Sequence, residues 1–474
     1  MNRFMPDHNK ITDKKRTLIF INIIITCVAT SLLQTALTTA LPPITADFGI
    51  SLATSQWLTS AYSLVMAIMM PLTAYLITRI PTRKLYLSVT IVFLVGTGIC
   101  TVAPSFAVLM IGRVFQACSN GITSSIAQVI LLSIYPEEKR GSIMGWYGLS
   151  VGAAPVIAPT LAGILVDLMG WRMIFICAFV IMLISFVYAF LVLGNVLETT
   201  DKKFDVSSFM LSAFAFGGLT LGIGNVSGGI LRIGAWLPMA VGIVSAAVFI
   251  RRQLHLSAPF LELRTFKSRN FSLSVINSML LYLVMMGTSV MLPIYVQNLI
   301  GYSATVSGLV MLPGSLAMTF ISPVAGRLYD KFGMKRLAVA GAFALFAGVL
   351  GMCFITLETP LVVAVVLNAV RNMAIGCLMM PFVTWGIANT ESRYIADATA
   401  LINSLRTIAG AIGMALFVGI MNFVFVASAD SYGVNAGIHG MRVSYGAVSV
   451  IAAAMVFVSL FCIKSVPKSK RTYN

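Results

Sequence analysis

Three arginines, Arg113, Arg371 and Arg406, lie inside long apolar runs of a 474-residue chain. A cation in such a place must be met by amides, carbonyls, water or a bound molecule, because an unpaired buried charge is costly. No acid shares these runs. The fifteen Asp and Glu residues fall in loops, tails or run ends, the nearest being Asp167, Asp330 and Asp397. The other polar groups are amides and hydroxyls. Gln34 stands in the middle of LLQTALTTALPPI, Gln116 follows Arg113 by three positions, and Asn368 precedes Arg371 by three. Thr399, Asn403 and Arg406 follow i, i+4, i+7 and share one helix face. Such a set holds and orients a ligand by hydrogen bonding. It contains no nucleophile paired with a base. The one enzyme-like match, GLSVG from Gly148 to Gly152, needs a strand–turn–helix context. Ser150 instead sits in an apolar helical run, and His8, His255 and His439 are in tails or loops. There is no H-E-x-x-H, no P-loop and no cysteine cluster, since the seven cysteines are scattered through apolar runs. The chain reads as a protein without catalytic residues, metal or cofactor.

The elements that position these groups are membrane helices. The chain is 58% hydrophobic and 10% charged, whereas soluble domains carry about 25% charged residues. Apolar runs of about twenty residues recur throughout, each long enough to cross a bilayer core. Fourteen spans are expected: 18–41, 57–77, 85–103, 106–134, 142–166, 172–194, 207–227, 235–250, 271–298, 304–328, 337–356, 360–388, 398–426 and 443–463. The net charge of +17 is topogenic rather than a nucleic-acid footprint, because Lys and Arg cluster between runs. With an even number of spans, 26 basic residues fall on the side of both termini, and three (Arg172, Arg232, Arg442) on the other. Both termini are therefore expected in the cytoplasm. The first run has no cleavage site and reads as an uncleaved span. The first span runs outward and the fourth inward, which places Gln34 and Arg113 both about 10–12 Å below the outer ends of their helices.

PLTAYLITRIPTRKL (71–85) aligns without gaps on PVAGRLYDKFGMKRL (323–337), and ALPPI (40–44) meets MLPIY (291–295) at a similar offset. Arg113 has a rough counterpart in Arg371. The chain thus divides into a tail (1–17), a six-helix half (18–197), an inserted helix pair (206–251), a second six-helix half (270–464) and a second tail (465–474). Two parallel halves with a site between them is a transporter arrangement.

At this point the sequence resembles the fourteen-span drug:proton antiporter branch of the major facilitator superfamily, over nearly its whole length. GRLYDKFGMKR, Gly326 to Arg336, resembles the superfamily's cytoplasmic loop signature. The first-half copy, AYLITRIPTRK, has Thr78 where the acid is expected and Pro81 where glycine is expected. RVFQA, Arg113 to Ala117, resembles the fourth-helix motif, and GLSVGAAPVIAPTLAG, Gly148 to Gly163, the fifth-helix motif of exporters. YPEEKRGSIMGWYGL and GWRMIF resemble its flanks in multidrug and lincomycin-type pumps.

The resemblance implies a multi-pass protein of the cell membrane, a monomer, exporting small amphipathic molecules against protons by rocking of the two halves. An exporter of lipids or of anionic or zwitterionic metabolites is a second reading, and a membrane sensor or partner subunit that transports nothing is a third. The central cavity is expected to be lined by Gln34, Trp57, Tyr62, Arg113, Gln116, Asn368, Arg371, Asn403 and Arg406. Gln34 is expected to offer its carbonyl to Arg113, the alternative being a plain inter-helix amide bond. Related pumps carry an acid at or beside the Gln34 position, so here the coupling acid is sought at Asp397 or Asp167. Arg79, Arg83, Lys84, Asp330, Lys335 and Arg336 are expected to form the cytoplasmic gate, with Asp330 as its latch. Gly148, Gly152, Pro155, Pro159 and Gly163 are expected to form a hinge in the fifth span.

Overall fold

A computed structural model describes residues 12–463, apart from 56, 198, 200–203, 226–232, 257–258, 303, 389 and 392–393. Fourteen long helices run through it. They are α1 (Asp13–Phe48), α3 (Trp57–Arg79), α4 (Thr82–Thr101), α5 (Phe106–Ile134), α6 (Glu137–Met169), α7 (Arg172–Val192), α8 (Val206–Gly224) and α9 (Ile233–His255), then α10 (Arg269–Ile294), α11 (Ala304–Phe332), α12 (Met334–Met352), α13 (Leu361–Ala388), α14 (Ile395–Tyr432) and α15 (Ala436–Phe457). A one-turn helix, α2 (Leu52–Ser55), precedes α3. Thirteen of the long helices are long and apolar enough to cross a membrane among the described residues. The remaining one, α6, contains positions 153, 155–157 and 159–160, whose side chains are outside the described set.

Several helix ends lie five to seven residues beyond the expected spans, among them the start of α15 and the C-terminal ends of α1 and α14. α1 does not stop before its two prolines but carries Pro42 and Pro43 inside it and ends at Gly49, whose φ of 63° is a left-handed cap. The N–H groups of Gly49 and Ile50 turn back to the carbonyls of Ala46 and Thr45, the closure that satisfies a helix's last acceptors. Two adjacent prolines remove two ladder donors but still fit helical φ, and in an apolar medium a continuous helix keeps the other backbone groups paired. α14 likewise runs to Tyr432, beyond the expected end at 426.

Helices α1 and α3–α7 pack among themselves, as do α10–α15. The two groups meet along two seams, α6 on α11 and α3 on α14, with lighter contacts of α13 with α6 and of α5 with α14. The inserted helices α8 and α9 pair with each other, and α8 lies against both α3 and α14, covering that second seam. The outer faces are apolar, with Val244, Phe423, Val362 and Phe461 all exposed, as lipid-facing positions must be. Small residues set the seams. A Cβ on Gly145 of α6 would stand 2.5 Å from the Ser322 carbonyl of α11, so the two backbones are in direct contact there.

Candidate functional site

Where the start of α6 meets the end of α11, the two halves are tied through a carboxylate. Asp330, in the last turn of α11, accepts the N–H of Gly141 at 3.0 Å and of Ser142 at 2.7 Å, one on each oxygen. Both donors lie early in α6, so the acid also faces the positive end of the helix dipole. Asp330 is the residue expected to act as a latch, and its two bonds cross from one half to the other. Gly333, three residues on, has φ of 76° and makes the tight turn into α12, a conformation that glycine adopts without strain. The basic residues of the expected gate behave differently. Arg83 turns away from the seam: it donates to the carbonyl of Phe190 at 2.7 Å and lies over its ring, tying α4 to α7 inside one half. Arg336 lies near the Phe332 ring. Arg79 and Lys84 are exposed and Lys335 half-buried.

The α3–α14 seam closes in another way. Thr78, standing where the signature acid is absent, donates to its own helix at the Tyr75 carbonyl. The place is filled by the connection between α9 and α10. Phe260 and Leu261 are fully buried, and Phe260 stacks on Tyr75 of α3 and packs against Phe204 and Phe209 at the head of α8. The next residue, Glu262, donates its N–H to Asp397 in the first turn of α14 at 3.3 Å. Asp397 is thus buried under the connection, in the first turn of α14. The connection is anchored in turn by Gln253, which accepts from Leu261 and donates to Ser208. Beside it Arg252 pairs with Asp205 at 3.1 Å. Burial acts to raise the Asp205 carboxyl, but the hydroxyl and N–H of Ser208 together with Arg252 outweigh it and hold it below the usual carboxylate value. Asp167 is exposed at the outer end of α6.

Nearer the membrane centre, α5 carries a polar stripe. Arg113 is 1% exposed, donates to Gln116 at 2.8 Å and to the Leu58 carbonyl at 3.3 Å, and lies over the Tyr62 ring at 4.1 Å. Gln116 passes the interaction to Thr97. The expected bond from Gln34 to Arg113 is not formed. Gln34 accepts instead from Asn120, at a long 3.5 Å, while Asn120 also donates to the Tyr62 hydroxyl at 2.9 Å. The cause is the true end of α1. Gln34 lies fourteen residues from Phe48, and Asn120 lies fourteen from the start of α5, so those two share a depth and Arg113 sits two turns further out. A consequence can be measured. Asn120→Leu is expected to destabilise the protein by about 1–2 kcal/mol, because it strands Tyr62 as well as Gln34, whereas Gln34→Leu costs less than about 1 kcal/mol. Thermal unfolding in detergent of the two variants checks the order, and equal losses would contradict it.

In the second half, Arg371 of α13 donates to the Thr288 carbonyl of α10 at 3.3 Å and to Asn372 at 3.4 Å, and Asn372 donates to Asn368 at 3.1 Å. Asn403 of α14 reaches across to α5, donating to Ser125 at 3.2 Å and Gln128 at 3.3 Å. Arg406, one turn on, lies over the ring of Tyr282 of α10 at 4.8 Å. Tyr62 is 2% exposed, whereas Trp57, the first residue of α3, is 44% exposed. Gly148 and Gly152 face Ser322, Met380, Met318 and Thr319 across the inner seam, while the nearest neighbour to a Cβ on Gly163 is Thr39, at 4.0 Å. Gly163 is therefore no part of the close crossing. The side chains of Pro155 and Pro159 lie outside the described residues, and α6 runs as one helix through both positions.

Sequence reading passed over Asn120, Ser125, Gln128, Tyr147, Tyr282 and Asn372. A signal for two of them exists: Gln116, Asn120, Ser124 and Gln128 recur every fourth position through an apolar run, one polar stripe on one helix face. Ser150 donates to the Trp146 carbonyl inside α6, so GLSVG forms no nucleophile elbow.

Comparison with known proteins agrees with this architecture. The sequence matches the profile described as Major Facilitator Superfamily over residues 20–414. It is 36% identical over 420 residues to the MFS-type transporter YcnB of Bacillus subtilis, covering 88% of this chain and 89% of that one. It is 34% identical over 394 residues to the lincomycin resistance protein LmrB of Bacillus subtilis, covering 82% of each. Among solved structures it superposes on the proton:xylose symporter XylE with a TM-score of 0.65 at 14% identity, over 94% of this chain and 96% of that one. The chain is a transporter, not an enzyme, and belongs to the major facilitator superfamily, in the branch of the lincomycin-resistance and multidrug-export proteins.

Proposed function

We propose that this protein is a secondary active exporter of small amphipathic molecules, coupled to protons and working as a monomer by rocking of its two halves. The observation that carries the reading is the Asp330 latch, a breakable polar tie placed across the seam on which such rocking must turn. The relatives whose names speak of lincomycin resistance and multidrug export support the direction and the kind of cargo. The absence of a nucleotide-binding motif in the sequence supports a gradient as the driving force. A glutamine cannot titrate, so Gln34 carries no proton. Asp397, buried where the connection meets α14, is the group we assign to coupling in preference to the exposed Asp167.

Both termini are cytoplasmic in this scheme: a reporter inserted at Lys202 reads inside and one at Ser431 outside. A reporter outside at Lys202 would break the fourteen-span order. The function itself is tested with purified protein in proteoliposomes. Labelled amphipathic drugs, ethidium among them, should move faster than in protein-free vesicles, in a direction set by an imposed pH gradient and abolished by a protonophore. Movement indifferent to the gradient would refute coupling, and no protein-dependent movement would refute export.

A further inference from the structure

The three buried arginines are not equivalent. Arg113 and Arg371 each keep one buried nitrogen without a partner, Nη2 and Nε, but each is held by donating to a neighbouring amide and to a backbone carbonyl of another helix. Arg406 has neither. Its only direct partner among the described residues is the face of Tyr282. Its Nη1 is buried without a hydrogen-bond partner, and no carboxylate lies within ion-pair distance among the described residues. A second buried donor, Nε2 of Gln128, which is 1% exposed, meets no close acceptor among the described residues and has only the Tyr147 side chain beside it. The two donors are linked through shared neighbours. Asn403, one turn from Arg406, donates to Gln128, and Tyr147 of α6 lies beside Gln128 and within electrostatic reach of Arg406. Apolar, adaptable groups adjoin them: Met70 takes a contact from Thr407, the residue after Arg406, and Met286 packs on Gly410, one turn further along. Two unmet donors, one of them cationic, lie on the path between the halves beside methionine walls. This is a place for an acceptor with an apolar body.

We propose that Arg406 and Gln128 form a subsite for an anionic group on an amphipathic ligand. The assignment deepens the export reading by naming a substrate class and rests on it for transport, though not for binding. A free anionic amphiphile and the head group of an anionic lipid offer the same chemistry.

The test uses two near-isosteric probes, 8-anilinonaphthalene-1-sulfonate and N-phenyl-1-naphthylamine, which differ by the sulfonate. Binding is measured by equilibrium dialysis in nanodiscs of zwitterionic lipid, and transport in vesicles of the same lipid, with ethidium as the cationic control. Arg406→Gln should lower the preference for the sulfonate over the neutral probe about tenfold, as loss of a charge-assisted bond requires, and Arg406→Lys should retain most of it. Gln128→Glu, which sets a carboxylate beside Arg406, should lower the same preference even if Arg406→Gln fails to fold. Displacement by added phosphatidylglycerol assigns the subsite to a lipid head group, and no displacement to the free amphiphile. A preference unchanged within about twofold in both Arg406→Gln and Gln128→Glu overturns the subsite. So does wild-type protein that moves ethidium and the neutral probe but neither binds nor moves the sulfonate, a result that leaves the export reading standing. Charge-selective binding that depends on Arg406, without movement of any probe, upholds the subsite and refutes export.

Discussion

Asp330→Asn should cut transport about tenfold or more while the protein still folds and still binds ligand. The carboxylate meets two N–H donors with two oxygens, at 3.0 and 2.7 Å. An amide offers one oxygen and turns an N–H toward the second donor, so the variant loses both the charge and one bond. Hydrogen bonds to charged groups contribute about 1.5–3 kcal/mol, and 1.4 kcal/mol is a factor of ten in an equilibrium. The loss falls only on the state in which the cytoplasmic side is shut. The measurement pairs transport rate with hydrogen exchange over residues 137–145, which should speed up in the variant. Normal transport and normal exchange would reduce Asp330 to a loop residue.

A larger loss is expected from bulk at the same crossing. A Cβ on Gly145 would stand 2.5 Å from the Ser322 carbonyl, and a Cβ on Gly141 would fall on Asp330 itself. Backbone has no room to retreat as a flexible side chain has, and overpacking costs about 1–3 kcal/mol. Gly145→Val should therefore abolish transport by holding the inner seam apart, with most of the protein still inserted. Gly163→Val, where the nearest side chain is 4.0 Å away, should retain far more activity. Equal losses at both positions would favour a hinge spread along α6 over a contact face at its inner half.

Much of this was legible in the sequence for physical reasons. Runs of apolar residues in a bilayer have no alternative to helix, and Lys and Arg in the connections order them. The turn at Gly333 depends on local chemistry, and Asp330 was singled out through the resemblance of its loop, but its partners Gly141 and Ser142 on a distant helix could not be read. The partner of Gln34 could not be read either, because depth was counted from a helix end set at Pro42. In lipid the helix runs on to Phe48, and one wrong end moved the contact by two turns of α5. The Phe260 connection escaped notice because an irregular segment has no periodicity, and its role depends on α3, α8 and α14 arriving together. Arg406 was seen, but not that its two fellow arginines donate to carbonyls of other helices while it makes no such bond among the described residues, which depends on how those helices pack.

The central claim is that the inner seam opens and closes against the outer one. Distances between spin labels test it most directly, with one pair at Lys139 and Lys331 on the cytoplasmic ends of α6 and α11, and another at Leu168 and Tyr302 on their outer ends, all exposed positions. The account predicts two populations for each pair, shifting in opposite senses when a pH gradient and a transported drug are supplied, with Asp330→Asn biased to the long cytoplasmic distance. A single distance for both pairs, the same with and without gradient and drug and the same in the variant, would contradict it.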